Sequence, residues 1–441
     1  MSSERRTRTW LFAFGVAASA LISSCSTPPA EVEPRMPPRI DSPLSRAQCV
    51  TLALEATPTA ATWRARIELA DALAKSAAAW PNPSIALEWE DLAAPAGVPI
   101  QWTTSLLTRV SDLASRSSRV AEADRDLEAV QLDVEAERIR IAAEALHAYD
   151  AVLVARARVE LAEESVRLHE RALRDATTLA DLGEAPRFVA RSIDNDLRDA
   201  NSALDASARE ARRAEVVLAF ALGLERPIPL RLSDPLRVSE VDEFAASDLE
   251  SMLRRAVEAR PEIAAALARA KARLEQSAVA VNRLDYLPTI AVGRRIAGDA
   301  TSATASIEVE LPIFDRGDSS AAAANAAARL AAIDAESVSR NVTQQVISAC
   351  EQWTATRHAL GSARSAVERG QRNLADHRML FESGEETLEH LRAARRELLA
   401  SREVLVNATG AVSSARIDLG AALGELVEKG PQQSTRTSRK S

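Results

Sequence analysis

From Ser111 to Leu182 the chain contains neither proline nor glycine. Nothing in that stretch stops a helix. About seventy helical residues at 1.5 Å each span on the order of 105 Å, more than a globular core requires. A helix of that length lines a coiled coil or a tunnel. Its apolar spacing is heptad-like over short range (Leu127, Val130, Val134) and much of it is alanine, which allows close helix approach. Gly183 ends the run. A second helical stretch follows, with Ile193, Leu197, Ala200 and Leu204 at steps of four, three and four. A lone glycine between two such runs is an αα-hairpin signal.

The hairpin occurs twice. Sliding the chain by 201 residues, without a gap, brings Leu173, Asp175, Leu179, Gly183, Glu184 and Arg191 onto Leu374, Asp376, Leu380, Gly384, Glu385 and Arg392. Leu197, Leu204, Ala214, Leu218, Leu222 and Gly223 then meet Leu398, Leu405, Ala415, Leu419, Leu423 and Gly424. Upstream, Val50, Ala53, Leu54, Glu55, Ala56 and Pro58 return as Leu253, Ala256, Val257, Glu258, Ala259 and Pro261, about 203 residues on. In the last helix Leu391, Leu398, Leu405, Val412 and Leu419 form a strict seven-residue series, which implies a left-handed packing seam.

Each copy also holds two alternating stretches. Ile85, Leu87 and Trp89 alternate with Ala86, Glu88 and Glu90, just after the Trp80-Pro81-Asn82-Pro83 break. Ile100, Trp102, Thr104 and Leu106 alternate with Gln101, Thr103 and Ser105. In the second copy Ile290, Val292 and Ile296 stand against Ala291, Gly293 and Arg295. A turn at Gly298 to Ser302 leads to Ala305, Ile307, Val309 and Leu311 against Ser306, Glu308 and Glu310. Period two with one oily and one polar face describes strands, and about nine residues suit a bilayer crossing. A soluble hairpin on a helical bundle has the same pattern.

Arg5, Arg6 and Arg8 precede an apolar run from Trp10 to Ile22, followed by Ser23-Ser24-Cys25. A basic region, a short apolar region and small residues before a cysteine resemble a bacterial lipoprotein signal, in which Cys25 takes the lipid. The alternative is an ordinary secretory signal with an incidental cysteine. Ser26 after the cysteine matches sorting to the outer membrane. Export leaves Cys49 and Cys350 in an oxidising compartment, where they are free to pair, but nothing in their spacing demands a bond; two buried thiols is the preferred reading.

The expected organisation is a signal peptide at 1–24, a Pro-rich tether at 25–43, a first repeat at 44–224, a linker at 225–246, a second repeat at 247–424 and a disordered tail at 425–441. Within the repeats, strands are expected at about 84–91, 100–109, 289–297 and 303–311. Long helices are expected at 111–182 and 317–382, with return helices at 186–222 and 387–423. The fold class is mostly α with a small β part. A net charge of −8 and the lack of a basic, aromatic-interleaved patch argue against nucleic acid as a partner. Past the N-terminus no run is apolar for the length of a membrane helix, so any membrane crossing must be a barrel. The five histidines show no ligand spacing, and no nucleophile elbow or phosphate loop occurs; the sequence does not read as an enzyme and calls for no cofactor or metal.

The element order, together with Leu52-Ala53-Leu54-Glu55-Ala56-Thr57-Pro58, Pro81-Asn82-Pro83-Ser84, Ala221-Leu222-Gly223-Leu224 and Val309-Glu310-Leu311-Pro312-Ile313-Phe314-Asp315-Arg316-Gly317, resembles the TolC family of outer-membrane efflux channel proteins, in its lipoprotein branch. The resemblance implies a homotrimer in which each subunit gives four strands to one barrel and its helices to one periplasmic tunnel. Three copies make twelve strands, within the known range for membrane barrels, and closure removes the sheet edges. Trp80, Trp89, Trp102, Tyr286 and Phe314 cluster around the strands, as an interfacial girdle would.

Glu88, Glu90, Glu308 and Glu310, with Arg295, are the expected lumen charges, either a cation-favouring pore or the solvated wall of a wide one. The resemblance further implies that the turns at Gly183 and Gly384 are periplasmic tips, closed at rest, which meet the adaptor of an inner-membrane pump. Asp175, Asp376, Glu184 and Glu385 recur there, as gate or adaptor-binding charges or as plain helix-end charge, Glu184 and Glu385 being favoured at a helix N-terminus. Where some family members carry gate aspartates, this chain has His390 and Ala393, with Glu386 and Glu389 beside them, so pH dependence through His390 is one reading and a surface histidine the other. Efflux, type I protein secretion and a coiled-coil envelope scaffold are the competing functions.

Overall fold

The computed structural model describes residues 42–56, 58–90, 100–184, 186–236, 248–282 and 284–426. The signal, Cys25, most of the tether, part of the linker and nearly all of the tail lie outside the described residues. Helices α1 (Arg46–Ala56) and α2 (Pro58–Ala78) are followed by strands β1 (Ser84–Glu90) and β2 (Gln101–Arg109). A short α3 (Val110–Ala114) leads into the long α4 (Arg116–Asp181) and the return helix α5 (Arg187–Ala221). The second copy repeats the order as α6 (Leu249–Ala259), α7 (Pro261–Val281), β3 (Thr289–Ala297), β4 (Ala300–Glu308), α8 (Asp318–Glu382) and α9 (Leu388–Leu423). Among the described residues no helix is long and apolar enough to cross a membrane.

The long helix is bent once near its start. Ser115 separates α3 from α4, and its Oγ donates to the Ser111 carbonyl at 2.7 Å. A serine bonded back to the preceding turn competes with the helical ladder and bends it. The absence of proline and glycine predicts one unbroken run here, and the serine divides it. Beyond the bend, α4 is 66 residues long and α8 is 65, so each extends on the order of 100 Å.

The helices pack in two hairpins, α4 with α5 and α8 with α9, and α9 also lies along α4. Their buried positions repeat in the 201-residue frame. Val134, Ile141, Ala145, Ala148 and Val166 on α4 match Ala335, Val342, Val346, Ala349 and Val367 on α8, and all ten are buried. Ala211, Leu218 and Leu222 match the equally buried Val412, Leu419 and Leu423. The heptad series of α9 faces inward, with Leu405 its one half-buried member. At Gly410 α9 approaches α4 closely: a Cβ there would lie 2.6 Å from Val154 Cγ2.

Among the described residues three apolar cores hold the helices. One gathers α1, α2, the middle of α4 and the end of α5 around the fully buried Tyr149, Val152 and Leu218. A second joins α6, α8 and α9 around Val346 and Leu419. The third lies by the first turn, where Leu388 packs on Ala172, Ala176 and Ile193. The linker strip bridges Leu44 to Leu232 in parallel, and Tyr149 Oη donates to the Leu44 carbonyl at 2.8 Å.

The four strands form one antiparallel sheet in sequence order. Its β4 starts three residues earlier than the expected 303–311. Only Gly298 and Asp299 connect the strands, with Gly298 at φ 58°, and pairing resumes at once with Ala297 opposite Ala300. A two-residue hairpin turn imposes that register. At the other end Thr289, just after Pro288, pairs with Glu308, so β3 offers nothing further to pair with Val309 and beyond.

Candidate conduit: the strand faces and the hairpin tips

Antiparallel partners share a sheet face, so the register sorts every strand side chain. One face carries Glu88, Glu90, Arg295 and Glu308, all expected in the lumen, among Ser84, Gln101, Thr103, Ser105, Ser302, Thr304 and Ser306. The other carries Ile85, Leu87, Trp89, Trp102, Leu106, Ile290, Val292, Ile296 and Ile307. All nine of these are exposed in the single chain, Ile85 at 74% and Ile307 at 70%. Among the described strand residues the apolar face bears one charge, Arg294, whose guanidinium reaches Thr301 Oγ1 at 3.4 Å. Trp89 and Trp102 sit opposite each other with ring centroids 6.3 Å apart.

Two corrections alter the charge of the polar face. Arg109, opposite Thr289, lies on it, a residue the alternation does not place there. Glu310 lies past the end of β4. Three glutamates therefore stand against two arginines on the strands, one net negative charge per chain. Glu310 stays close by, lining with Arg109, Asp112 and Glu308 an open cleft of about 510 Å³ where strands meet helices.

The tips are built alike. At the first, Gly183 has φ 78°, its N–H donates to the Ala180 carbonyl, and the Glu184 N–H donates to the Leu179 carbonyl at 2.9 Å. At the second, Gly384 has φ 78°, with Gly384 N–H to Phe381 and Glu385 N–H to Leu380. This paired closure ends a helix on a left-handed glycine. It also moves Glu184 and Glu385: each follows the helix-ending glycine, and the return helices begin only at Arg187 and Leu388. The acidic residue in the first turn of α9 is Glu389.

Asp175, Asp376, Glu184 and Glu385 are all exposed. Asp175 acts on Arg395 across the hairpins; burial lowers the Arg395 guanidinium pKa and the carboxylate opposes that shift. Glu386 is the most enclosed of the expected tip acids. Its Oε2 lies 2.5 Å from His377 Nδ1 and its Oε1 lies 3.8 Å from His390 Nδ1. His390 itself is an exposed surface side chain. Sequence pattern does not single out His377, although residues on opposite sides of the Gly384 turn must meet across the hairpin. Arg392 likewise stands out in the sequence only as a repeat identity. It is 7% exposed and binds Asp196 of α5 and, at 2.6 Å, Glu389. Among the described residues no cluster of three or more His, Cys, Asp or Glu side chains is arranged to hold a metal ion.

The same architecture is found in solved outer-membrane channel proteins. A family described as outer membrane efflux protein matches residues 252–425, most of the second copy. The chain superposes on the outer-membrane channel OprN with TM-score 0.72 at 18% identity, over 86% of this chain and 90% of that one. On CusC, described for its conformational changes in folding and transmembrane channel formation, the TM-score is 0.71 at 17% identity, over 91% of this chain and all of that one. On the outer membrane protein VceC of Vibrio cholerae it is 0.69 at 16% identity, over 86% and 96%. No curated protein matches the sequence.

Proposed function

We propose that the chain is the outer-membrane channel subunit of a tripartite efflux system of the TolC family: a passive, non-catalytic conduit through which an inner-membrane pump and a periplasmic adaptor export small molecules or ions. The observation that carries this reading is the sheet. It has one polar and one apolar face, both long edges unpaired among the described residues, and helices on the order of 100 Å attached at one end. A four-stranded sheet with an exposed oily face satisfies itself by closing with copies of its own kind in lipid. Three subunits give a twelve-stranded barrel with Trp89 and Trp102 facing lipid and Glu88, Glu90, Arg109, Arg295 and Glu308 facing the lumen. The hairpins form the periplasmic tunnel, with Gly183 and Gly384 at its adaptor-facing end. Cys25 carries the lipid anchor. Asp175, Glu184, Asp376, Glu385 and Glu386 act at the tip as gate or adaptor contacts.

Efflux and type I protein secretion share this conduit and differ in the inner-membrane partner. The envelope-scaffold reading differs in solubility. Multi-angle light scattering of the mature protein without its lipid separates them. A trimer that requires detergent is the expected result; a detergent-independent monomer overturns the channel.

A further inference from the structure

The 201-residue repeat makes each subunit two pseudo-equivalent hairpins, so a trimer is a ring of six. Within one chain the seam between the hairpins is visible: Arg392 of α9 binds Asp196 of α5, and Asp150 of α4 accepts from Ser413 of α9. Moving one step round the ring turns each contact into one between subunits. Arg392 maps onto Arg191 and Asp196 onto Glu397; Ser413 maps onto Arg212 and Asp150 onto Glu351. Both images pair an arginine with a glutamate. All four side chains are exposed in the single chain. Among the described residues none of the four has an ion-pair partner; Glu397 accepts a neutral hydrogen bond from Asn373 at 3.0 Å. Buried positions beside these sites coincide in the two copies, Ile193 with Ala394, Ala211 with Val412 and Ala148 with Ala349, which fixes the frame.

Charge does not return at every contact. Arg402 binds Glu164 within the chain, but its images are Asn201 and Ser365. Arg158 binds Asn407, and its images are Ala359 and Ala206. Of these four inter-hairpin contacts, two therefore return as ion pairs and two as neutral contacts.

We propose that the seam between subunits is a docking surface for a second copy of this chain, fixed by Arg191 to Glu397 of the partner subunit near the tips and by Arg212 to Glu351 of the partner subunit nearer the middle of the tunnel. The proposal rests on the trimeric channel reading and adds its register. Arginine–carboxylate pairing across an interface sets register and partner choice more than raw affinity.

The test uses the full chain in detergent. An Arg191→Cys, Glu397→Cys double variant is treated with a flexible bis-maleimide, whose reach matches an arginine–glutamate pair rather than the shorter span of a disulfide, beside each single variant, and resolved on a denaturing gel with light scattering run in parallel. Covalent dimers and trimers in the double variant, absent from both singles, are expected. A trimer by light scattering without covalent species overturns the seam and leaves the channel standing. A monomer overturns the trimer, and the seam with it. Charge reversal supplies the second arm. Arg191→Glu is expected to lower the trimer fraction and Glu397→Arg to restore it in the double reversal. No rescue contradicts the pairing.

Discussion

Arg46 donates to Asp150 Oδ1 at 2.7 Å, and Asp150 takes a second hydrogen bond from Ser413. One carboxylate thus ties the first helix to the middle of α4 and to the last helix. Its side chain is 6% exposed and that of Arg46 is 26%. Removing one member of a buried pair strands the other, at a cost of roughly 3–5 kcal/mol when both are fully enclosed. With Arg46 partly in water, Asp150→Ala is expected to cost about 2–3 kcal/mol. Urea unfolding of the detergent-solubilised protein measures it; Ser413→Ala costs less.

Cys49 lies in the same core, fully buried, with its Sγ 3.6 Å from the Ala145 carbonyl. Burial, and then the Asp150 carboxylate, push its thiol up to about 12. A raised folded-state pKa favours the fold below the unfolded value and loses that contribution as pH climbs to the folded one. Stability is therefore expected to fall between about pH 9 and pH 12. In Cys49→Ala that part of the alkaline decline disappears. Unfolding midpoints across this range give the comparison, and an identical decline in the variant contradicts it.

Two helical glycines separate backbone propensity from packing. A methyl added at Gly361 of α8 would meet nothing within 4 Å, whereas one added at Gly410 would run into Val154. Gly361→Ala is expected to stabilise by about 0.5–1 kcal/mol. Gly410→Ala is expected to destabilise by about 1–3 kcal/mol through overpacking of α9 on α4. The same sign for both variants in thermal unfolding would contradict the close approach.

The polar strand face carries one net negative charge per chain, so under the proposed channel, where that face lines the pore, selectivity is expected to be mildly cationic and to fade in high salt. The Debye length is near 8 Å at physiological ionic strength. Arg109→Gln doubles the net negative charge on that face and should shift the zero-current potential toward cations in dilute KCl. Arg294→Gln, on the opposite face, should leave the potential unchanged. Equal effects of the two would contradict the assigned faces.

Much of this is legible in the chain itself. Period-two alternation is a local property, and it places Glu88, Glu90, Arg295 and Glu308 on one face without any structure. The paired glycines and the leucine series are local too, and they reveal the repeat. The start of β4 is not legible, because Gly298 to Ser302 accommodates several turn lengths and only pairing with β3 selects one. Arg109 escapes because it stands at a strand end where helix and strand patterns merge. His377 with Glu386, and Arg392 with Asp196, depend on how helices are rotated against one another, which heptad spacing defines only to within a face.

The most direct test of the account is single-channel recording of the purified protein in planar bilayers, wild type beside Arg392→Ala, with membrane insertion verified in both. Losing Arg392 unties the two hairpins near the tips and leaves Asp196 without its partner. Discrete conductance steps are predicted, rare or small in the wild type and larger or more frequent in the variant. Inserted protein that yields no steps in either form would contradict the conduit.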